Sequence, residues 1–327
     1  MNSRLIWMTA LLTPGLWGLC DGVSPFVRMC LVSFSLFFLI KLHVLVEFRF
    51  KSNPLSKVRK NGDRNPRQSG LTALSKRDQW FWFVAWPGLN AAEFFTTVPA
   101  RHIPREDWGF AGSKTAAGGF LFWILAPRML SWNKWAAGWT ALAGVVFMLH
   151  FGLFHWMALF WQSKGRNVRP IMNWPVMANS LADFWSRRWN LAFRDYAHSQ
   201  IFTPLSRWFQ EFSSKHSSKE DTGLSRRIRR IGPMLAILVG YAFSGIIHEL
   251  AISVPAEAGY GLPTLYFAIQ GAGIVTERIV SRQLIRINDG WLGRFWALLV
   301  AGVPAVILFH HAFVVKVVVP LLQNQGH

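Results

Sequence analysis

Cysteine is scarce in this chain, with Cys20 and Cys30 the only two in 327 residues, and tyrosine (4) and acid (16 Asp and Glu against 35 Lys and Arg) are scarce as well. Two cysteines exclude a disulfide framework and supply no zinc-ligand spacing; both fall within or beside the first apolar runs, where packing is their expected use. The shortage of acid leaves a net charge of +19 and a pI near 11. Such a surplus invites a nucleic-acid reading. The bases, however, flank apolar segments and form no soluble module with stacking aromatics, so anionic lipid headgroups are the expected generic partner and nucleic acid is not.

Long stretches without charge are what the chain has instead. It is 52% hydrophobic, with 18 Trp and 27 Phe, and apolar runs lie at roughly 5–20, 26–48, 115–130, 136–161, 233–253, 263–280 and 295–322. Runs of this length cross a hydrocarbon core of ~30 Å as helices, because only internally bonded backbone is stable there. The expected fold is therefore all-α, a polytopic integral membrane protein of about seven to nine transmembrane helices. Segments 79–99 and 171–178 are expected as re-entrant or interfacial pieces. The first run follows Arg4, but Trp7, Pro14 and Trp17 interrupt it and no small-residue cleavage site precedes Asp21, so it reads as a retained helix.

Residues 1–327 read as one multi-pass membrane domain with two basic loops, at about 49–78 and 163–232. The first carries Arg49, Lys51, Lys57, Arg59, Lys60, Arg64, Arg67, Lys76 and Arg77; the second runs from Lys164 to Arg230. Both are expected on the cytoplasmic side by the positive-inside rule. Within the second loop, 180–205 is too polar to span and too aromatic for a free loop, and reads as an amphipathic interfacial helix. At ~100° per residue it sets Leu181, Phe184, Trp185, Trp189, Ala192, Phe193 and Tyr196 on one face, with Asp183, Arg187, Asn190 and Arg194 opposite. An interfacial anchor with snorkelling arginines accounts for all of these but Asn190. Asparagine is a weak helix former, whereas an inward carboxamide can donate to a carbonyl oxygen.

The most expensive residues are His248 and Glu249, inside the apolar run 233–255. Removing an imidazole and a carboxylate from water costs several kcal/mol unless partners compensate, so an intramembrane pair points first to function, here proton handling in a protected cavity. A buried histidine satisfied by a neighbouring helix is the competing explanation. Helical rotation places Tyr241 and Ser244 on the His248 side, where a hydroxyl is expected to hold the second ring nitrogen; Glu249 faces ~100° away and is expected to be structural or electrostatic. Gly240 and Gly245 leave room for a close helix or a substrate chain.

DFWSRRWN at 183–190, followed about sixty residues later by FSGIIHEL at 243–250, resembles the wax synthase-like branch of the membrane-bound O-acyltransferases, in which a DFWGRRWN-type segment precedes an intramembrane His-Glu pair. HELAISVP at 248–255 is similar to the corresponding stretch of the diacylglycerol acyltransferases, whose upstream aromatic segment also ends in Trp-Asn, as Trp189-Asn190 does. The likeness covers roughly 171–283, including FAIQG at 267–271; before it only WPG at 86–88 is familiar, and Ser186 stands where the branch has glycine. What the resemblance implies is a helical fold around an internal tunnel, with acyl-CoA as co-substrate entering from the cytoplasm, a hydrophobic alcohol entering from the bilayer, and no tightly bound cofactor. His248 is then the general base and Asn190 the group that positions or stabilises the thioester carbonyl, supported by Ser244, Tyr241, Glu249, Asp183 and Gln270. Trp189, Arg187, Arg188, Lys164, Arg166 and Arg169 are candidates for holding acyl-CoA, since guanidinium forks suit phosphate oxygens.

The leading expectation is wax-ester formation in a bacterial inner membrane or the endoplasmic reticulum; acylation of a secondary-metabolite hydroxyl is the alternative within the same chemistry. His43, His150, His155, His310 and His311 also lie in or near spans, but their spacing lacks the clustered boxes of a di-iron oxygenase, so no metal is expected. A lipid or solute transporter is the reading from another class, since polar residues in spans and helix interruptions such as Pro127 and Pro304 also mark translocation paths. No internal repeat supports it.

Overall fold

The computed structural model describes residues 22–52, 75–215, 223–283 and 290–323; the first apolar run, Cys20 and most of the 49–78 loop lie outside them. Among the described residues every regular element is helical, and the sole bridge between extended segments pairs Thr97 with Arg166. The all-α membrane class is as expected. Four helical stretches, Pro25–Phe50, Lys134–Ser163, Ile231–Ala256 and Gly290–Leu308, are long and apolar enough to cross a bilayer, and His311–Gln323 is a shorter apolar helix. The run expected at 295–322 is thus not one span. Its main helix ends at Gly302, just ahead of Pro304, and the chain breaks again before His311.

The chain forms two compact units, 1–172 with 314–327 and 173–313. In the first lie α1 (Pro25–Ser52), α2 (Lys76–Ala85), α3 (Arg105–Gly119), α4 (Lys134–Val145) and α5 (Phe154–Ser163). Ser75 caps α2 by accepting from Asp78 N at 3.1 Å, and Pro87 stops the helix just beyond Trp86. The stopped end exposes carbonyls that water does not reach. Lys41, fully buried on α1, donates to the Trp82 and Trp86 carbonyls and stands 4.0 Å over the Trp82 ring, while Trp161 Nε1 donates to Ala85 O at 2.9 Å. Lys114 on α3 meets His155 Nδ1 on α5 at 2.7 Å.

The second unit holds α6 (Leu191–Ala197), α7 (Thr203–Lys215), α8 (Gly223–His248), α9 (Leu262–Gln283) and α10 (Gly290–Gly302). Its core gathers Ala178, Leu181, Phe184, Ile237, Ile274, Ala297 and Ala301, with Trp185, Trp189 and Tyr241 packed against them. The helices α8 and α9 approach closely at Gly245: a Cβ there would stand 2.9 Å from the Thr264 Cα, so only glycine fits. At Gly240, by contrast, nothing lies within 4 Å of a built Cβ.

The turn from α8 to α9 is fastened twice. Glu249 accepts from Gly261 N at 2.7 Å and from Thr264 N and Oγ1 at 3.3 and 2.9 Å, which satisfies orphan amides at the start of α9. Both Glu249 oxygens are thus engaged by the start of α9. Beside it, Phe313 N donates to His310 Nδ1 at 3.3 Å, so a neutral ring carries its hydrogen on Nε2, 3.4 Å from Ser253 Oγ, which donates to Gly259 O at 3.2 Å. Gly259 has φ +72°, and a Cβ there would lie 2.5 Å from three atoms of the His310 ring. Gly259→Ala is therefore expected to cost roughly 2–5 kcal/mol, the sum of left-handed strain and overpacking, and to lower the melting temperature of the detergent-solubilised protein by several degrees. An unchanged melting temperature would mean the turn relaxes away from His310.

Candidate functional site

The segment expected as one amphipathic helix over 180–205 is instead broken. One helical turn, Leu181–Asp183, continues through Phe184–Arg188 with i→i+5 bonding; the chain then leaves helical geometry at Trp189 (φ −99°, ψ 127°) and turns left-handed at Asn190 (φ 41°) before α6 begins. Asparagine suits this place for a local reason, since its short polar side chain tolerates the left-handed region. Its Oδ1 also accepts from Phe193 N at 3.2 Å as the N-cap of α6. The helical-wheel face that grouped Asn190 with Asp183, Arg187 and Arg194 does not survive the break. Wider i→i+5 turns and a left-handed residue shift the phase of everything downstream.

Asp183 organises the turn ahead of the break. Its carboxylate takes Arg188 Nε at 2.6 Å and Asn179 N at 3.2 Å, with Arg187 at 3.9 Å, and Arg188 O accepts from Asn173 N at 2.8 Å. Residues 173–190 thereby close on themselves. Trp189 stacks on Phe184 at 5.8 Å and 10°. Ser186, in place of glycine, is exposed and donates to Ala182 O at 2.5 Å, a substitution the loop absorbs on its outer side.

His248 is the last residue of α8, at the point where the helix passes into the i→i+5 run Glu249–Ser253. Such insertions re-aim side chains and concentrate at functional sites. Its Nδ1 lies 2.7 Å from the Ser244 carbonyl oxygen. A carbonyl can only accept, so Nδ1 carries the hydrogen and the neutral ring presents Nε2 as its basic nitrogen. The sequence expectation named the right residue and the wrong atom: the Ser244 hydroxyl donates instead to Gly240 O at 3.1 Å. Tyr241 holds its ring edge-on to Trp185 at 5.8 Å rather than reaching the imidazole with its hydroxyl.

Phe267 of α9 links the two motifs. The His248 ring packs on it at 4.4 Å between centroids and Trp185 packs on it at 5.8 Å, while Phe193, three residues after Asn190, stacks on Phe243 of α8 at 6.2 Å and 8°. Gln270, fully buried one turn along α9, accepts from Trp185 Nε1 at 3.2 Å and donates to Val300 O at 2.8 Å. The segments bearing His248 and Asn190 thus share one aromatic cluster in one unit.

The cationic candidates divide. Arg187 and Arg188 line a polar recess of about 470 Å³ in the second unit with Arg278, Ser186 and two carboxylates, Asp183 and Glu277. In the first unit, Arg166 pairs with Asp78 at 2.6 Å, Arg169 pairs with Glu93 at 3.2 Å, and Lys164 stands 5.7 Å over the Phe160 ring. One residue escaped the sequence reading altogether. Glu277, 2% exposed, lies in an apolar stretch, and an acid in such a place was the signal available.

Residues 168–269 match the sequence profile of the membrane bound O-acyl transferase family. Among curated relatives, the probable long-chain-alcohol O-fatty-acyltransferase 1 of Arabidopsis thaliana is 32% identical over 120 residues, 36% of this chain and 31% of that protein. The long-chain-alcohol O-fatty-acyltransferase of Simmondsia chinensis is 30% identical over 122 residues, 37% of this chain and 30% of that one. The acyl-CoA–sterol O-acyltransferase 1 of Arabidopsis thaliana is 25% identical over 124 residues, 38% and 31% of the two chains. The chain therefore spans about a third of the length of the curated relatives it matches. The resemblance carried by DFWSRRWN and FSGIIHEL, to the wax synthase-like branch of the membrane-bound O-acyltransferases, is borne out by these matches.

Proposed function

We propose that this integral membrane protein is a CoA-dependent O-acyltransferase that moves an acyl group from acyl-CoA to the hydroxyl of a long-chain alcohol, in the manner named for its relatives from Arabidopsis thaliana and Simmondsia chinensis. One observation carries the chemistry: the Ser244 carbonyl fixes the His248 hydrogen on Nδ1 and so leaves Nε2 as a base within an apolar helix. Nε2 takes the proton of the alcohol as its oxygen forms a bond to the thioester carbonyl carbon. The C–S bond then breaks, and the imidazolium returns the proton to the departing thiolate, giving ester and free CoA thiol. General-base assistance of this kind contributes typically ~10²–10⁴-fold.

Asn190 is assigned to the developing oxyanion through its Nδ2 hydrogens, a contribution on the order of 3 kcal/mol for one such donor. The donor's phosphates are assigned to the recess bearing Arg187 and Arg278, whose exposed guanidinium forks suit phosphate oxygens, while Arg188 is already held by Asp183 and the Trp174 carbonyl. The basic segment 164–215 is assigned to the cytoplasmic side by its excess of Lys and Arg.

The test is ester synthesis by membranes containing the protein, given radiolabelled palmitoyl-CoA or acetyl-CoA and a panel of long-chain, short-chain and sterol alcohols. Labelled ester from palmitoyl-CoA and a long-chain alcohol, with stoichiometric CoA release, is the expected result. Ester from acetyl-CoA alone would shift the reading to acetylation of a smaller hydroxyl. Absence of any ester, together with CoA-independent lipid flux in vesicles, would replace the enzyme with a transporter.

A further inference from the structure

The two chemistry-bearing segments are held by one helix, and the group that fastens the Asn190 segment to it is a buried carboxylate. Glu277 of α9 accepts from Leu181 N at 2.6 Å and from Ala182 N at 3.3 Å, through its two oxygens. The next amide, Asp183 N, goes to Ser180 Oγ at 2.9 Å. All three of the first orphan amides of the turn that leads to Asn190 are therefore satisfied, two of them from a residue 95 or 96 positions away. Nothing about a three-residue turn followed by i→i+5 bonding is stable alone, because so short a helix does not offset its nucleation cost. Its place is set from outside.

Along α9, Phe267, Gln270 and Glu277 fall within ~80° of one another at helical rotation, so they form one stripe. That stripe touches the His248 ring through Phe267, holds Trp185 through Gln270, and grips the start of the 181–190 segment through Glu277. The far end of α9 is itself tied beside His248 by Glu249. A rigid helix of 22 residues thus carries both partners at fixed positions, as a gauge block would.

We infer that Glu277 is a positioning residue for acyl transfer: by clamping the Leu181 and Ala182 amides to α9 it sets where Asn190 stands relative to His248. The inference rests on the acyl-transfer reading for its kinetic consequence, but the clamp itself is measurable without it. Glu277→Gln keeps the size of the side chain and replaces one accepting oxygen with a donor, which cannot serve a second amide. Misplacement of a catalytic group by about 1 Å costs on the order of a hundredfold in rate.

The experiment compares purified wild type, Glu277→Gln and Glu277→Asp in detergent, the last keeping the charge but withdrawing it by one methylene. Folded protein is counted by size-exclusion chromatography, kcat and KM are taken per folded molecule, and amide exchange is followed in peptides covering 179–190 and 262–283. Expected are a kcat about tenfold to a hundredfold lower in both variants and faster exchange confined to the 179–190 peptide; KM for acyl-CoA is expected to hold in Glu277→Asp, which keeps the charge, and to shift only modestly in Glu277→Gln, which removes a carboxylate from the recess that bears Arg187 and Arg278. A carboxylate that only stabilised the fold would reduce the folded fraction and leave kcat per folded molecule unchanged, and that result overturns the inference. If neither variant folds, the wild type still decides: the 181–183 amides must exchange as slowly as the middle of α9, and fast exchange there also overturns it. A wild type that makes no ester while His248→Ala behaves identically refutes the acyl-transfer reading, and the exchange data then judge the clamp on their own.

Discussion

His248→Gln is expected to reduce ester formation by about 10²–10⁴-fold while leaving the protein folded in the membrane. Glutamine is the sharper choice than alanine because of what the imidazole does in the structure. The ring gives its Nδ1 hydrogen to the Ser244 carbonyl at 2.7 Å and packs against Phe267 at 4.4 Å between centroids, tilted by 42°. A carboxamide can still donate to that carbonyl, and its stem fills part of the space beside Phe267, yet it is no base near neutral pH. His248→Ala removes donor, packing and base together, and is expected to be at least as inactive with some loss of stability. Initial rates of ester formation, normalised to folded protein, check both. Retention of wild-type turnover by the glutamine variant would remove His248 as the proton acceptor, and the competing explanation of a histidine that only ties helices together would then stand.

The sequence carried the class of fold and the two motifs because both are written in residue type: charge-poor runs of bilayer length, and an imidazole-carboxylate pair where neither belongs. Three features were not legible, each for a physical reason. The break at Trp189–Asn190 was hidden because the apolar spacing on either side of it fits a 3.6-residue period, whereas the chain uses i→i+5 turns and then a left-handed residue. The partner of His248 is expected to be a hydroxyl, whereas the structure uses the backbone carbonyl of Ser244. A side-chain pattern says which residue lies one turn back, but a backbone carbonyl is available from every residue and leaves no mark in the sequence. Glu277 was missed because its partners are amides 95 and 96 residues away, a pairing no local window contains. The glycines show the opposite case: Gly245 and Gly240, singled out together, prove to have different surroundings, one against Thr264 and the other open.

The left-handed backbone at Asn190 changes which substitution tests its role. Asn190→Ala removes the N-cap of α6 and forces a β-carbon into the left-handed region at φ 41°, so it is expected to cost roughly 2–3 kcal/mol of stability before any chemistry is considered. Loss of activity in that variant would not separate a cap from a catalytic group. Asn190→Asp does separate them. Aspartate tolerates the left-handed region, caps a helix as well as asparagine does, and places its negative charge at a helix N-terminus where the macrodipole favours it. What it lacks is the pair of Nδ2 hydrogens, and what it adds beside the reacting carbonyl is repulsion toward an oxygen gaining negative charge. Asn190→Asp is therefore expected to match the wild type in melting temperature within a degree or two and to lose about 10²–10³-fold in kcat. Asn190→Gly, which keeps the backbone geometry at a cap cost of a few tenths of a kcal/mol, should fall with it, since it too offers no donor. Thermal melts and single-turnover ester formation on the same preparations settle the matter. Wild-type turnover in the aspartate variant would make Asn190 a cap and nothing more, and the stabilisation of the oxyanion would have to come from another donor in the cluster around Phe267.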